Sequence, residues 1–262
     1  MAQQKQQCRP AFTLVELLVV IGIIGLLISI LIPALNMARR HARDTECSAQ
    51  LRQLANATIM YLNEHRRFPE PVQLAAFAGP VPLGINDRLI NQIGPYLGWK
   101  PVKPTDLLTD MSSIMMCPFR KDLPLEYEYN YAMGSPYWNC GYSYCAGVGM
   151  TNNPSAVVLN DDRTSDLKGL KRRVIWSDNM FLLSGPVTGW VYFHLNGGGQ
   201  AVEPTFLTFT APTSYRGHHR AWSDGSVDWV RRGDFSLDPA QADTNAAYRI
   251  TAPSGMVLYH FW

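Results

Sequence analysis

The chain has 262 residues, of which 47% are hydrophobic, and a formal net charge of +2. Lys5 and Arg9 carry the excess: no acid stands beside them, and from Phe12 onward 21 basic residues face 21 acidic ones. A formally neutral body argues against a nucleic-acid binder, and the length suits one domain of ordinary size, or one enlarged by insertions, behind an N-terminal segment.

That segment is residues 11–35, AFTLVELLVVIGIIGLLISILIPAL, whose last 19 residues carry no charge. At about 1.5 Å per residue, such a helix crosses the roughly 30 Å hydrocarbon core of a bilayer. A cleaved secretory signal has a shorter apolar region, about 7 to 15 residues, and a small-x-small cleavage site. A plain signal anchor fits the length but gives no reason for Glu16. A carboxylate placed there costs several kcal/mol at membrane depth and reads as functional.

The residues Ala11-Phe12-Thr13-Leu14-Val15-Glu16 resemble the N-terminal processing signal of the type IV pilin and type II secretion pseudopilin superfamily. The resemblance implies a leader, residues 1–11, cut by a prepilin peptidase between Ala11 and Phe12, with methylation of the new Phe12 amine. Glu16 then takes the fifth mature position, where the family uses it in filament assembly. Pro33 falls where the family often has a proline that locally opens the helix. One residue departs from the pattern: Ala11 stands where the family usually has Gly. The resemblance also implies an N-terminus inside the cytoplasm and a body outside the bacterial inner membrane. The cation count alone is ambiguous, because Arg39, Arg40 and Arg43 follow the run.

Beyond residues 12–35 the helical pattern continues over 36–68. Leu35, Ala38, Ala42, Cys47, Leu51, Leu54, Thr58, Tyr61 and Leu62 recur every three to four residues, which predicts one buried stripe. The stripe ends at His65-Arg66-Arg67-Phe68-Pro69, with cations in the last turn and Pro beyond. One helix of roughly 50 residues is therefore predicted, with a transmembrane first half and an amphipathic second half. Arg39, Arg40 and Arg43 read as a solvated or headgroup-facing collar.

The body, residues 69–262, opens with a loop-rich insertion to about residue 124. A short helix is predicted within 86–98 and a buried strand over 111–119. The run 127–144, YEYNYAMGSPYWNCGYSY, alternates Tyr127, Tyr129 and Tyr131 as a strand does. Its aromatics read as packing on a sheet, or as a stacking surface for sugars. Further strands are predicted at 173–177, 190–195 and 205–210. Gly197-Gly198-Gly199 reads as a turn, because no phosphate-loop pattern surrounds it. Asp161, Asp162 and Asp166 miss the spacing of a calcium loop, and the resemblance to pseudopilins, some of which hold calcium in a late loop, keeps such a site open. Asp224-Gly225, between two strand-like runs, predicts a hairpin with a type I′ turn. This stretch also resembles a pilin-like family with a C-terminal His, a nine-residue spacer and Asp-Gly, although here only five residues separate His218 from Asp224.

Among Cys47, Cys117, Cys140 and Cys145, three disulfide pairings are open if the body lies outside the cytoplasm, and Cys140 and Cys145 are close enough to bridge a tight loop. Buried thiols are the alternative, and no CxxC pair supports zinc.

The expected fold is α+β, one long helix packed on an antiparallel sheet. The expected function is structural and non-enzymatic, without a cofactor. The partners implied are prepilin peptidase and other pilin-like subunits in the inner membrane, with no nucleic acid. Two alternatives differ in class. One is a tethered binding module that recognises a glycan or secreted client through residues 127–144. The other is a metalloenzyme using His218, His219 and Asp224, although neighbouring residues on a strand point to opposite faces.

Overall fold

The computed structural model of the chain describes residues 13–73, 80–81, 85–102, 116–120, 127–130, 135–138, 141–146, 174–178, 180–184, 189–192, 201–203, 216–231, 247–251 and 257–261. Side chains are described at 13–72, 85–102, 116–119, 141–146, 174–178 and 216–231. The chain divides into two compact units, Met1–Ala42 and Arg43–Trp262.

The predicted long helix is α1, Leu14–His65, 52 residues. Its large apolar residues from Leu14 to Leu35 are 44% to 78% exposed. The helix ends where the cationic cluster begins. Arg66 adopts a left-handed conformation, φ 58°, and its N–H donates to the Leu62 carbonyl at 2.8 Å. This is the cap geometry that glycine usually supplies, here taken by an arginine.

The buried stripe of α1 is shorter than its periodicity predicts. Burial begins at Cys47 and continues through Gln50, Leu51, Leu54, Ala55, Ala57, Thr58, Tyr61 and Leu62. Leu35, Ala38 and Ala42 are exposed. Spacing reports which face is apolar, but not at which turn the body begins to cover it.

The short predicted helix is α2, Asp87–Ile93, capped by Asn86, whose Oδ1 accepts the Leu89 N–H at 2.8 Å. A 3-10 turn, Gly94–Leu97, follows. The strand predicted over 111–119 is corrected at its end, where Pro118–Arg120 form a 3-10 turn. Pro118 has no N–H to give to a ladder. Cys117 and Phe119 are nevertheless buried, as an apolar strand would have been.

The strands of the body are antiparallel throughout the described residues. Two small hairpins pair β1, Val72–Gln73, with β2, Pro80–Val81, and β3, Tyr127–Asn130, with β4, Ser135–Trp138. The main sheet has four strands. They are β5, Tyr142–Tyr144; β6, Val174–Asp178; β10, Gly217–Trp222; and β11, Val227–Arg231, in the order β11-β10-β6-β5. A second sheet has five. They are β7, Met180–Ser184; β8, Gly189–Tyr192; β9, Ala201–Glu203; β12, Ala247–Thr251; and β13, Val257–Phe261, in the order β12-β13-β7-β8-β9. The arrangement is α+β, as expected, but the five-stranded sheet was foreseen only at β8. The predictions at 205–210, 161–166 and 197–199 lie outside the described residues.

The core joins the covered part of α1 to the four-stranded sheet. Leu51, Leu54 and Ala55 of the helix share one cluster with Leu89, Ile90 and Ile93 of α2, Tyr142 and Tyr144 of β5, and Trp176 of β6. Polar atoms within it are matched. The Trp176 indole donates to Thr58 Oγ1 at 2.9 Å, Thr58 donates to the Leu54 carbonyl at 2.8 Å, and the Tyr144 hydroxyl donates to the Pro69 carbonyl at 3.0 Å. Two of the tyrosines offered as sugar-stacking candidates, Tyr142 and Tyr144, are thus core residues.

Candidate functional site

Two places concentrate the chemistry: the start of α1 and a polar cluster inside the body. At the first, Thr13 and Glu16 form a capping box. Glu16 Oε2 accepts from the Thr13 backbone N–H at 2.8 Å and from its hydroxyl at 2.7 Å, while the Glu16 N–H donates to Thr13 Oγ1 at 3.3 Å. The pattern Thr-x-x-Glu ahead of an apolar run is the sequence sign of such a box, and here it sets the helix start at Leu14, two residues before the acid. Negative charge in a first helical turn also faces the positive end of the backbone dipoles. Both Thr13 bonds land on Oε2, and a carboxylate has room for about four donors. Glu16 therefore keeps acceptor capacity on an exposed, otherwise apolar helix. Ala11 and Phe12 lie outside the described residues.

Pro33 does not interrupt α1, which is helical from Leu14 to His65. A proline there removes the N–H that would reach the Ser29 carbonyl one turn earlier. The Ser29 hydroxyl donates to the Leu26 carbonyl at 2.7 Å, within the same turn of helix.

The second place lies where α1, β5, β6 and β10 meet. Asp178, 1% exposed, accepts from the His219 backbone N–H at 2.7 Å and is 3.0 Å from His219 Nδ1, both contacts falling on Oδ2. Its Oδ1 accepts from the Cys47 thiol at 3.1 Å. Cys47 Sγ also lies 3.3 Å from the Tyr142 hydroxyl and 3.8 Å from Cys117 Sγ. The Tyr142 hydroxyl donates to Gln50 Oε1 at 2.5 Å, and the His219 ring meets Trp229 edge-on, centroids 4.6 Å apart. Burial, then the contact with Cys117 and the Asp178 charge, pushes the Cys47 thiol well up. Burial likewise raises the Tyr142 hydroxyl. Both groups therefore stay protonated at neutral pH. Cys47, Asp178 and His219 also place three potential metal-ligand atoms within 4.8 Å of one another.

The predicted residues are only partly brought together. His218 and His219 are both buried on β10, and His219 finds its carboxylate in Asp178. Asp224 is instead exposed at the hairpin turn, where Oδ1 accepts from the Ser226 N–H at 2.9 Å and from its hydroxyl. The turn itself differs from the expectation. Gly225 has φ 81° and donates to the Trp222 carbonyl, while Trp222 donates to Ser226. Only the glycine of Asp224-Gly225 has positive φ, so this is a three-residue loop with a glycine bulge, not a type I′ turn. A Cβ on Gly225 would lie 2.9 Å from Asn56 Oδ1, so the turn rests on α1.

Cys145 is a buried, unbridged thiol, close to the Ser143 carbonyl and the Ser177 hydroxyl, and burial pushes it up to about 12. Cys140, its proposed partner, lies outside the described residues. Sequence reasoning missed Asp178, Gln50 and the meeting of Cys47 with Cys117. The residues that meet are far apart in the chain, and no spacing rule joins them.

No curated protein and no solved structure matches the chain. Residues 8–32 match the family model described as the prokaryotic N-terminal methylation motif, so this membrane-anchored chain opens its apolar helix with the type IV pilin and pseudopilin signal.

Proposed function

We propose that the chain is a non-catalytic pseudopilin-like subunit of a type II secretion or type IV pilus-like filament. Prepilin peptidase removes residues 1–11 and methylates the Phe12 amine. The N-terminus faces the cytoplasm before processing and the body lies in the periplasm. The observation that carries this reading is the methylation motif at residues 8–32, set on a helix that is apolar all round and exposed. A helix of that kind needs apolar surroundings, which lipid supplies before assembly and neighbouring helices supply after it.

Glu16 supports the reading physically. A charge within such a bundle needs a partner, and a neighbouring subunit's Phe12 ammonium provides one. The capping box leaves the carboxylate able to accept it. The pairing fixes the axial register of one helix against the next.

Glu16→Val tests this. The variant keeps an apolar helix, so it is expected to insert in the membrane at wild-type level and to fail to enter filaments, read by co-purification with other pilin-like subunits. Assembly at wild-type level would contradict the reading.

A further inference from the structure

We propose that Cys47 and Cys117 are joined by a disulfide in the mature protein, a covalent clamp between α1 and the residue that leads into the 3-10 turn Pro118–Arg120. The proposal rests on the reading that the body lies outside the cytoplasm, where disulfides persist. The two sulfurs are 3.8 Å apart, wholly buried, and separated by 70 residues of chain. A disulfide bond is about 2.04 Å long, so the sulfurs need to approach by less than 2 Å.

The backbones on either side are held in place. Cys47 lies inside a helix. Cys117 precedes a proline, which restricts it to extended conformations. Gly141 is seated directly on it: a Cβ at that position would lie 2.6 Å from Cys117 Cβ, and the backbone has φ 89°. The absence of a side chain at residue 141 lets the turn carry Cys117 toward the helix. What remains free to adjust is the rotation of each sulfur about its Cα–Cβ bond.

The surrounding network tolerates the change. When Cys47 loses its proton, Asp178 keeps the His219 backbone N–H and its contact with Nδ1. The Tyr142 hydroxyl keeps Gln50 as acceptor. A metal held by Cys47, Asp178 and His219 is the competing use of this cluster. It would leave the contact between the Cys117 and Cys47 sulfurs without a role.

The chemistry is a two-electron exchange with a disulfide-donating thiol oxidoreductase. One cysteine thiolate attacks the donor's disulfide and forms a mixed disulfide. The second thiolate displaces the donor's sulfur. The S–S bond now lies in this chain, and the donor leaves as a dithiol carrying the two protons. The exchange belongs to a stage before the core closes, because burial keeps the Cys47 thiol protonated afterwards.

The test uses the full chain, produced in its membrane and purified in detergent without reductant. Thiols are alkylated in denaturant and the peptides mapped by mass. The expected result is a linked pair of peptides bearing Cys47 and Cys117, neither alkylated until reductant is added. In Cys47→Ala the Cys117 peptide becomes alkylated without reductant. If that variant fails to fold, the wild-type map alone decides. A second arm equilibrates the purified chain in a glutathione redox buffer. A bridge there, with thiols in cell-derived protein, supports the pairing and overturns the outward orientation. Two alkylated thiols in both arms overturn the pairing. Stoichiometric zinc, with thiols released by a chelator and not by reductant, overturns it in favour of a metal centre.

Discussion

Asp178 sets the conditions for its surroundings. A carboxylate this deeply buried persists because its donors come from β10 and from α1. It ties the helix to the sheet as hydrophobic contact does, but with a direction. Asp178→Asn keeps the shape and turns one acceptor into a donor that faces another donor. The expected loss is about 2–3 kcal/mol. On a body of this size that lowers the thermal midpoint by roughly 4 to 12 °C, measured on the detergent-solubilised chain. A shift under about a degree would mean that the network contributes little. Nothing in the local sequence marks Asp178, which ends an ordinary strand, VIWSD. Glu16 was legible at once, because a carboxylate among apolar residues breaks a simple pattern. Its bond partner Thr13 was not singled out in the sequence, although Thr-x-x-Glu is the pattern of a capping box.

At the level of elements, periodicity located the pieces and missed their limits. The length of α1 and its end near His65 followed from apolar spacing and a closing Pro. The point where burial begins, Cys47, depends on where the body covers the helix, and no local pattern encodes that. The strands β3 and β6, and the hairpin of β10 and β11, carried clear signals. The strands β7, β12 and β13 are five residues each, and apolar runs that short do not separate strand from helix. The Asp-Gly pair marked the hairpin correctly but not its turn type, because Ser223 joins it in the loop. That turn also bears on α1. Gly225→Ala combines an unfavourable φ with a clash at Asn56 Oδ1. The expected cost is about 1–2 kcal/mol in urea unfolding. Adding Asn56→Ala should recover the steric part only. Full recovery would mean that the backbone conformation costs nothing.

For the whole molecule, one helix has two surroundings. Its first half is apolar on every side and exposed, while its second half is covered on one face by the body. The disulfide proposed between Cys47 and Cys117 would add a covalent tie between this second half and the body. The processing signal was legible in about two dozen residues, because it is a local stretch of sequence. The body offered no comparable motif, since its contacts arise from residues brought together only by folding.

The N-terminus is expected to be processed as its motif implies. Mass measurement of the N-terminal peptide of the membrane-resident chain tests this most directly. The predicted result is a chain that begins at Phe12 with a methylated amine, despite Ala11 before the cut. A mature chain that retains residues 1–11 would contradict it.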